Sequence, residues 1–354
     1  MSRFLAKKFA NVKPYVPGEQ PKDRRYIKLN TNESPYPPSL KAQSLARDAL
    51  RNLQLYSDPE CRKLTDVTAQ YLGVRPDQIV FTNGSDEILN FVFLTFCDEN
   101  VGVAFPDISY GFYSVYADLY GIDAMKIPLR EDFSICADDY IGLNRTIVIA
   151  NPNAPTGLYL PLRDIERIVK GNPGNLVVID EAYVDFGNES AISLIDQYPN
   201  LLICRTFSKS RSMAGARLGF AVGNAEVIRD LNNIRFSTNP FNINAMTMAA
   251  GIGSIEDETY FHDNCRKIID TREWTTARLR ELQFAVLDSS ANFVFAKHAD
   301  IDGKELYLKL KDKGILVRHF AGERLNAFVR ITIGTAEEMK ITIRAIKEIL
   351  ENVL

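Results

Sequence analysis

L-V-V-I-D-E-A-Y, residues 176–183, is an apolar run that stops abruptly on a carboxylate. A β-rich run without polar alternation reads as a strand covered on both faces, and such strands belong to mainly parallel sheets. Four similar runs flank it: Q-I-V-F-T at 78–82, V-G-V-A-F at 101–105, T-I-V-I-A at 146–150 and L-L-I-C-R at 201–205. Longer polar-apolar segments separate them, so crossover units and an α/β architecture are expected. The runs end in T-N-G-S-D-E, F-P-D-I-S-Y, N-P-N-A-P-T-G, D-E-A-Y and T-F-S-K. Ligands of open α/β sheets bind beyond the carboxyl ends of the strands, so the site is expected where these five loops converge.

At 354 residues the chain exceeds the size at which one core usually stops growing. Its last part changes character. A long helical pattern at 256–283 is followed by the strand runs F-A-V-L-D, A-N-F-V-F-A-K and V-R-I-T-I, with helices expected at 304–313 and 336–350. We expect three parts: residues 1–40 joining a smaller α+β domain, 41–275 forming a large domain, and 276–354 completing the smaller one.

Composition excludes several classes of function. The 42 basic and 45 acidic residues leave a net charge of -3 without long single-sign blocks, so no nucleic-acid partner is expected. Cys61, Cys97, Cys136, Cys204 and Cys265 never fall at C-x-x-C spacing, and the three histidines are scattered, so no metal site is expected. No later segment is uninterrupted apolar over the length of a membrane span, and M-S-R-F-L-A-K-K-F-A lacks the long apolar core and small-residue cleavage site of a signal sequence; a cytoplasmic protein is expected.

T-F-S-K-S-R-S-M-A-G-A-R-L-G-F, residues 206–220, carries the sharpest chemistry. An ordinary lysine amine, with a pKa of about 10.4, is neutral in only about one molecule in a thousand near pH 7.4. Arg211 and Arg217 beside Lys209 would lower that pKa and favour imine chemistry, although a solvated basic loop has the same composition. Asp180 could keep a cofactor ring nitrogen protonated, or simply cap a helix. Gly84, Ser85 and Asp86 leave a strand and open a helix, a geometry that suits a phosphate and equally an ordinary capping pattern. Tyr110 could lie on a planar ring or in the core. The nicotinamide, P-loop, zinc-protease and serine-hydrolase motifs are absent from the sequence.

In this order along the chain, N-P-N-x-P-T-G, D-E-A-Y and S-K-x-x-x-x-A-G-x-R-x-G resemble the fold-type-I pyridoxal-phosphate aminotransferases over essentially the whole chain. The resemblance implies that Lys209 carries pyridoxal 5′-phosphate as a Schiff base and shuttles the proton. It implies that Asp180 pairs with the pyridine nitrogen, Tyr183 bonds the ring hydroxyl and Tyr110 stacks on the ring. Gly84, Ser85, Ser208 and Arg217 would hold the phosphate, with Thr206 and Asp86 nearby. One position departs from the pattern. Many relatives place an Asn immediately before P-T-G, on the ring hydroxyl; here that position is Ala154, which leaves Asn153 or Tyr183 alone for the task.

Within the family the chain is most similar to the histidinol-phosphate aminotransferases. The similarity rests on V-K-P-Y-V-P-G-E, K-L-N-T-N-E-S-P-Y-P-P-S, L-Y-S-D-P-E, G-I-L-V-R and F-V-R-I-T-I-G-T. It implies interconversion of histidinol phosphate plus 2-oxoglutarate with imidazole-acetol phosphate plus glutamate. Arg330 and Arg318 would bind the substrate anions, and Tyr15, Asn32 and Asn292 would line the pocket. Tyr56 would reach the cofactor phosphate of a neighbouring subunit in a homodimer. An aromatic aminotransferase or a phosphothreonine decarboxylase on the same scaffold is the alternative.

Overall fold

The run T-I-V-I-A is buried along its whole length, and its side chains divide between two cores: Ile147 and Ile149 on one face, Val148 and Ala150 on the other. The two-residue alternation of a strand produces that division. The computed structural model describes residues 2–9 and 12–352.

The first part of the chain runs β1 (Ile27–Lys28), α1 (Leu40–Ala49), α2 (Arg62–Leu72), β2 (Ile79–Thr82), α3 (Ser85–Phe96), β3 (Val103–Pro106), α4 (Phe112–Tyr120) and β4 (Ala124–Ile127). It continues through β5 (Thr146–Ala150), α5 (Leu162–Lys170), β6 (Val177–Asp180), β7 (Leu201–Thr206), β8 (Gly219–Gly223), α6 (Ala225–Thr238) and α7 (Ala245–Ile255). The last part comprises α8 (Glu258–Glu281), β9 (Ala285–Val286), β10 (Phe293–Lys297), α9 (Gly303–Asp312), β11 (Ile315–Leu316), β12 (Arg318–His319), β13 (Phe328–Thr332) and α10 (Ala336–Glu351).

Seven strands form the main sheet in the order β2-β8-β7-β6-β5-β3-β4. β8 alone runs antiparallel to its two neighbours; the other pairings are parallel. Apolar residues of α1, α2, α5 and α7 cover one face, and those of α3, α4 and α6 cover the other. The α/β expectation is therefore met, with β4 and β8 added. β4 has mostly open side chains, and β8 is the short glycine-bounded run G-F-A-V-G, so neither stands out as an apolar strand.

A second, antiparallel sheet has the order β12-β13-β10-β9. Its core takes in Phe261, Cys265, Ile268 and Leu279 of α8 and Ile346 and Ile349 of α10. β1 pairs in parallel with β11, which ties the N-terminal segment to this second unit. Thr335 caps α10 and forms a capping box with Glu338, ending β13 and starting the helix within four residues.

Register brings the chemistry to one edge. Ala150 is opposite Asp180, Asp180 opposite Cys204, and Thr206 and Thr82 are both opposite Gly219. Gly219 is required by close approach: a Cβ there would lie 2.5 Å from the Ser85 amide nitrogen and 2.6 Å from the Gly84 carbonyl carbon. Gly219→Ala should therefore displace the start of α3 and destabilise the fold by about 1 to 3 kcal/mol. Denaturant unfolding measures this; an unchanged midpoint and slope would show that the turn yields without strain.

Candidate active site

The carboxyl ends of β5, β6 and β7 open into a cavity of ≈ 470 Å³, a volume suited to a small-molecule ligand. Asp180 ends β6 on the face that packs against α4, and the fully buried Tyr113 meets it there, donating its hydroxyl to Asp180 Oδ2 at 2.9 Å. Asp180 Oδ1 has no hydrogen-bond partner among the described residues, although it is fully buried. Burial pushes this carboxyl up to about 6, against the pull of the Tyr113 hydrogen bond. A partly matched carboxylate on the cavity wall is suited to a cationic ring N–H.

Lys209 lies beyond β7, with its Nζ donating to the Thr31 carbonyl at 3.2 Å and standing 5.8 Å from the centre of the Tyr183 ring. Burial, and then the charge of Arg330, bring its amine down to about 8. Roughly one amine in five is then neutral near pH 7.4, a gain of about two orders of magnitude over an ordinary lysine. The expected role of Arg211 is corrected. Its guanidinium lies 3.8 Å from the Phe261 ring centre and donates to the Ser254 carbonyl, so it turns into the protein interior. Arg217 contributes only after Arg330.

The helix start at α3 has Gly84 at φ +80°, with Ser85 and Asp86 in the first turn. The positive φ at Gly84 favours glycine, and a Cβ there would sit 2.5 Å from Arg217 Nη2 and push the guanidinium aside. Asp86 is spoken for: it accepts Tyr110's hydroxyl at 2.7 Å and Arg217 Nη2 at 2.9 Å. It aims those two groups rather than meeting an anion itself. Thr206 donates to Ser208 Oγ at 3.0 Å, and Arg217 Nη1 approaches the same oxygen at 3.4 Å. Ser85, Asp86, Tyr110, Thr206, Ser208 and Arg217 all border the cavity.

Arg330 rises from the middle of β13 into the same cavity. Its Nη2 donates to the Asn30 carbonyl at 3.1 Å, its Nε is buried without a partner, and no acid pairs with it among the described residues. Two rings, Phe293 at 5.2 Å and Phe320 at 5.3 Å, hold the guanidinium instead. Burial pulls its pKa down. Arg318, on β12, also faces the cavity and reaches the Pro17 and Val16 carbonyls at 3.4 Å. Tyr15 stacks on Phe112 at 4.3 Å and completes this wall.

Besides Arg211, four of the residues singled out in the sequence do not line the cavity: Gly84, described above, Asn153, Asn292 and Tyr56. Asn153 is buried and turned away, accepting from the Ser109 hydroxyl and donating to the Ile108 carbonyl and to Thr156 Oγ1. Ala154 faces the cavity in its place. Asn292 donates to the Asn32 carbonyl at 3.0 Å and lies behind it. Tyr56 is 85% exposed and stacks on Phe241. Asn32 does border the cavity, but its Nδ2 is committed to the Tyr183 hydroxyl and its Oδ1 to Thr332. Sequence reasoning missed Tyr113, whose three-residue spacing from Tyr110 is a usable signal, and Phe320, for which the sequence offers none.

The family described as aminotransferase class I and II matches residues 24–346. The histidinol-phosphate aminotransferase of Brachyspira hyodysenteriae is 50% identical over 354 residues, covering 99% of this chain and 100% of that one. That of Clostridium botulinum (strain 657 / Type Ba4) is 47% identical over 351 residues, 99% of each chain. Among solved structures, the Clostridium acetobutylicum histidinol-phosphate aminotransferase has a TM-score of 0.85 at 26% identity, covering 92% of this chain and 99% of that one. The Sinorhizobium meliloti enzyme in complex with pyridoxal-5′-phosphate has the same fold, with a TM-score of 0.87 at 24% identity over 94% and 93% of the two chains.

The lowered pKa of Lys209 gives a direct expectation. In protein freed of small molecules, acylation of Lys209, followed by mass spectrometry, should rise with pH to a plateau with a midpoint near 8. Exposed lysines should continue rising toward their ordinary midpoint of about 10.4. A Lys209 midpoint as high as theirs would show that the cavity does not desolvate the amine.

Proposed function

The chain belongs to the class I and II aminotransferases, and from that membership we propose that it interconverts L-histidinol phosphate plus 2-oxoglutarate with imidazole-acetol phosphate plus L-glutamate, using pyridoxal 5′-phosphate. Full-length relatives of that name at 45–50% identity support the substrate. The observation that carries the reading is Arg330, a half-buried cation with no acid partner among the described residues, in the same cavity as the Lys209 amine, whose pKa burial lowers.

The residues present fit the cofactor. Asp180 Oδ1 is a buried acceptor without a partner among the described residues, and Ser85 at the start of α3 and Arg217 both border the cavity, where an anion would meet a helix N-terminus and a guanidinium. Asp180 would hold the ring nitrogen, Tyr110 the ring face and Tyr183 the ring hydroxyl. Ser85, Thr206, Ser208 and Arg217 would hold the phosphate, with Asp86 positioning Arg217 and Gly84 giving it room. When bound, the cofactor supplies an electron sink for the pair left as the substrate Cα–H bond breaks. Lys209 Nζ, neutral in a useful fraction, takes that proton and returns it to the carbon that becomes the new C–H centre. Arg330 orients the substrate by its phosphate in one half-reaction and by a carboxylate in the other, a planar fork suiting both anions. Arg318 adds a second positive charge, and Tyr15 closes the wall above it.

The same reading takes the enzyme to be a cytoplasmic homodimer, with residues 1–40 and 276–354 acting as the smaller domain against 41–275. No described helix is long and apolar enough to cross a membrane, and all five cysteines are free thiols, in keeping with a reducing compartment. The exposed Tyr56, with Leu53, Leu55 and Phe241 around it, supports a second subunit on that face. Tyr56 would then complete the neighbour's phosphate site.

A substrate panel tests the specificity. Dephosphorylated histidinol should be a far poorer substrate than histidinol phosphate, and Arg330→Ala should lower kcat/KM for histidinol phosphate by about 2 to 5 kcal/mol. Equal use of the two compounds by the unaltered enzyme would leave an aminotransferase of another specificity. Sedimentation should give a dimer, and mixing inactive Lys209→Ala chains with Tyr56→Ala chains should yield heterodimers holding one intact site. A fully active monomer would exclude the shared site.

A further inference from the structure

Asn32 is held in an unusual way for a residue on a cavity wall. Its backbone is left-handed, with φ +56°, a conformation asparagine tolerates better than most residues. The second unit fixes it there: the Asn32 amide donates to Thr332 Oγ1 at 3.0 Å, and Asn292 Nδ2 donates to the Asn32 carbonyl at 3.0 Å. Thr332 Oγ1 also donates to Asn32 Oδ1 at 3.0 Å, which fixes the amide group so that Nδ2 points the other way. That Nδ2 donates to the Tyr183 hydroxyl at 2.9 Å.

The consequence lies in the direction of a proton. A phenol oxygen that accepts an N–H has its own hydrogen left for another acceptor. Tyr183 lines the cavity, its ring is fixed edge-on against Phe293 at 5.2 Å, and Asn32 is the partner that its hydroxyl has in the protein among the described residues. The two neighbouring positions supply nothing to help it: Ala154 offers a methyl group, and Asn153 is committed to Ser109, Ile108 and Thr156. Burial raises the phenol's pKa; the charge of Arg330 and then the Asn32 hydrogen bond pull against that rise, so the Asn32 contact strengthens the hydroxyl as a donor.

We propose that Asn32 is a positioning residue rather than a substrate ligand: clamped by Thr332 and Asn292, it orients and strengthens the Tyr183 hydroxyl as a donor into the cavity. This rests on the cofactor reading above, in which Tyr183 donates to the ring hydroxyl. Such a donor stabilises the deprotonated ring oxygen, so weakening it raises the pH at which the cofactor attached to Lys209 changes its visible band.

The test is a double-substitution cycle read by that band and by cofactor affinity. Asn32→Ala should raise the band's midpoint by about 0.5 to 1 pH and weaken pyridoxal-phosphate binding to cofactor-free protein by about 2- to 10-fold. In a Tyr183→Phe background the same substitution should add little, because its effect passes through the hydroxyl. Asn32→Asp keeps the size of the side chain but offers an acceptor to the phenol, and should raise the midpoint also. Thr332→Val removes the clamp's oxygen while leaving the donor, and should move it less than Asn32→Ala. The proposal is overturned by an unmoved midpoint in Asn32→Asp, or by equal effects of Asn32→Ala with and without the Tyr183 hydroxyl. A wild-type protein that takes up no pyridoxal phosphate would overturn the functional reading itself, an outcome distinct from a band that forms but ignores Asn32.

Discussion

Two cations, the Lys209 amine and the Arg330 guanidinium, stand half-buried on one cavity wall without an acid in salt-bridge contact with either, among the described residues. Burying charge in this way is expensive, and a fold meant only to be stable would pair or replace it. Much of the surrounding structure serves to tolerate it. Phe293 and Phe320 present ring faces to Arg330, the carbonyls of Asn30 and Thr31 take one donor from each cation, and the amine relieves part of the cost by lowering its own pKa. The remaining imbalance favours an anionic ligand, and it makes the lysine reactive.

The segment from Asn30 to Asn32 gathers these demands. Its three consecutive residues meet Arg330, Lys209 and Tyr183 in turn, two through backbone carbonyls and one through a side-chain amide. The parallel pairing of β1 with β11 fixes the chain just before it, and Thr332 fixes Asn32 from β13. The N-terminal segment is thereby part of the cavity wall. A shift of the second sheet relative to the first would alter the surroundings of all three groups together.

The sequence was most informative where local pattern and burial agree. Fully buried parallel strands have no polar face to interrupt them, so L-V-V-I-D and T-I-V-I-A declare themselves; β4 and β8, which lie at or beside the edge of the sheet, do not. Lys209, Asp180, Arg217 and the start of α3 stand next to strand ends, where a short-range motif contains the whole local geometry. The partners of those residues come from far away in sequence. Tyr113 is 67 residues from Asp180, Thr31 is 178 from Lys209, and Asn32 is 151 from Tyr183. Such distances are set by register and packing, which no local pattern encodes.

Arg211 and Asn153 show the limit most sharply, since each sits beside a residue that lines the cavity and neither lines it itself. Arg211 is two positions from Lys209, yet the chain turns between them and its guanidinium finds Phe261 and Tyr71. Asn153 is one position from Ala154, yet it faces the opposite way, where three polar groups satisfy it. Turning it toward the cavity would strand the Ser109 hydroxyl and the Ile108 carbonyl, a penalty of about 1 to 3 kcal/mol for each group left buried and unmatched. A loop shift that brings Asn153 to a ligand is therefore disfavoured. The polar support that position 154 lacks has to enter from another element, and the element in contact with Tyr183 is the clamped turn at Asn32.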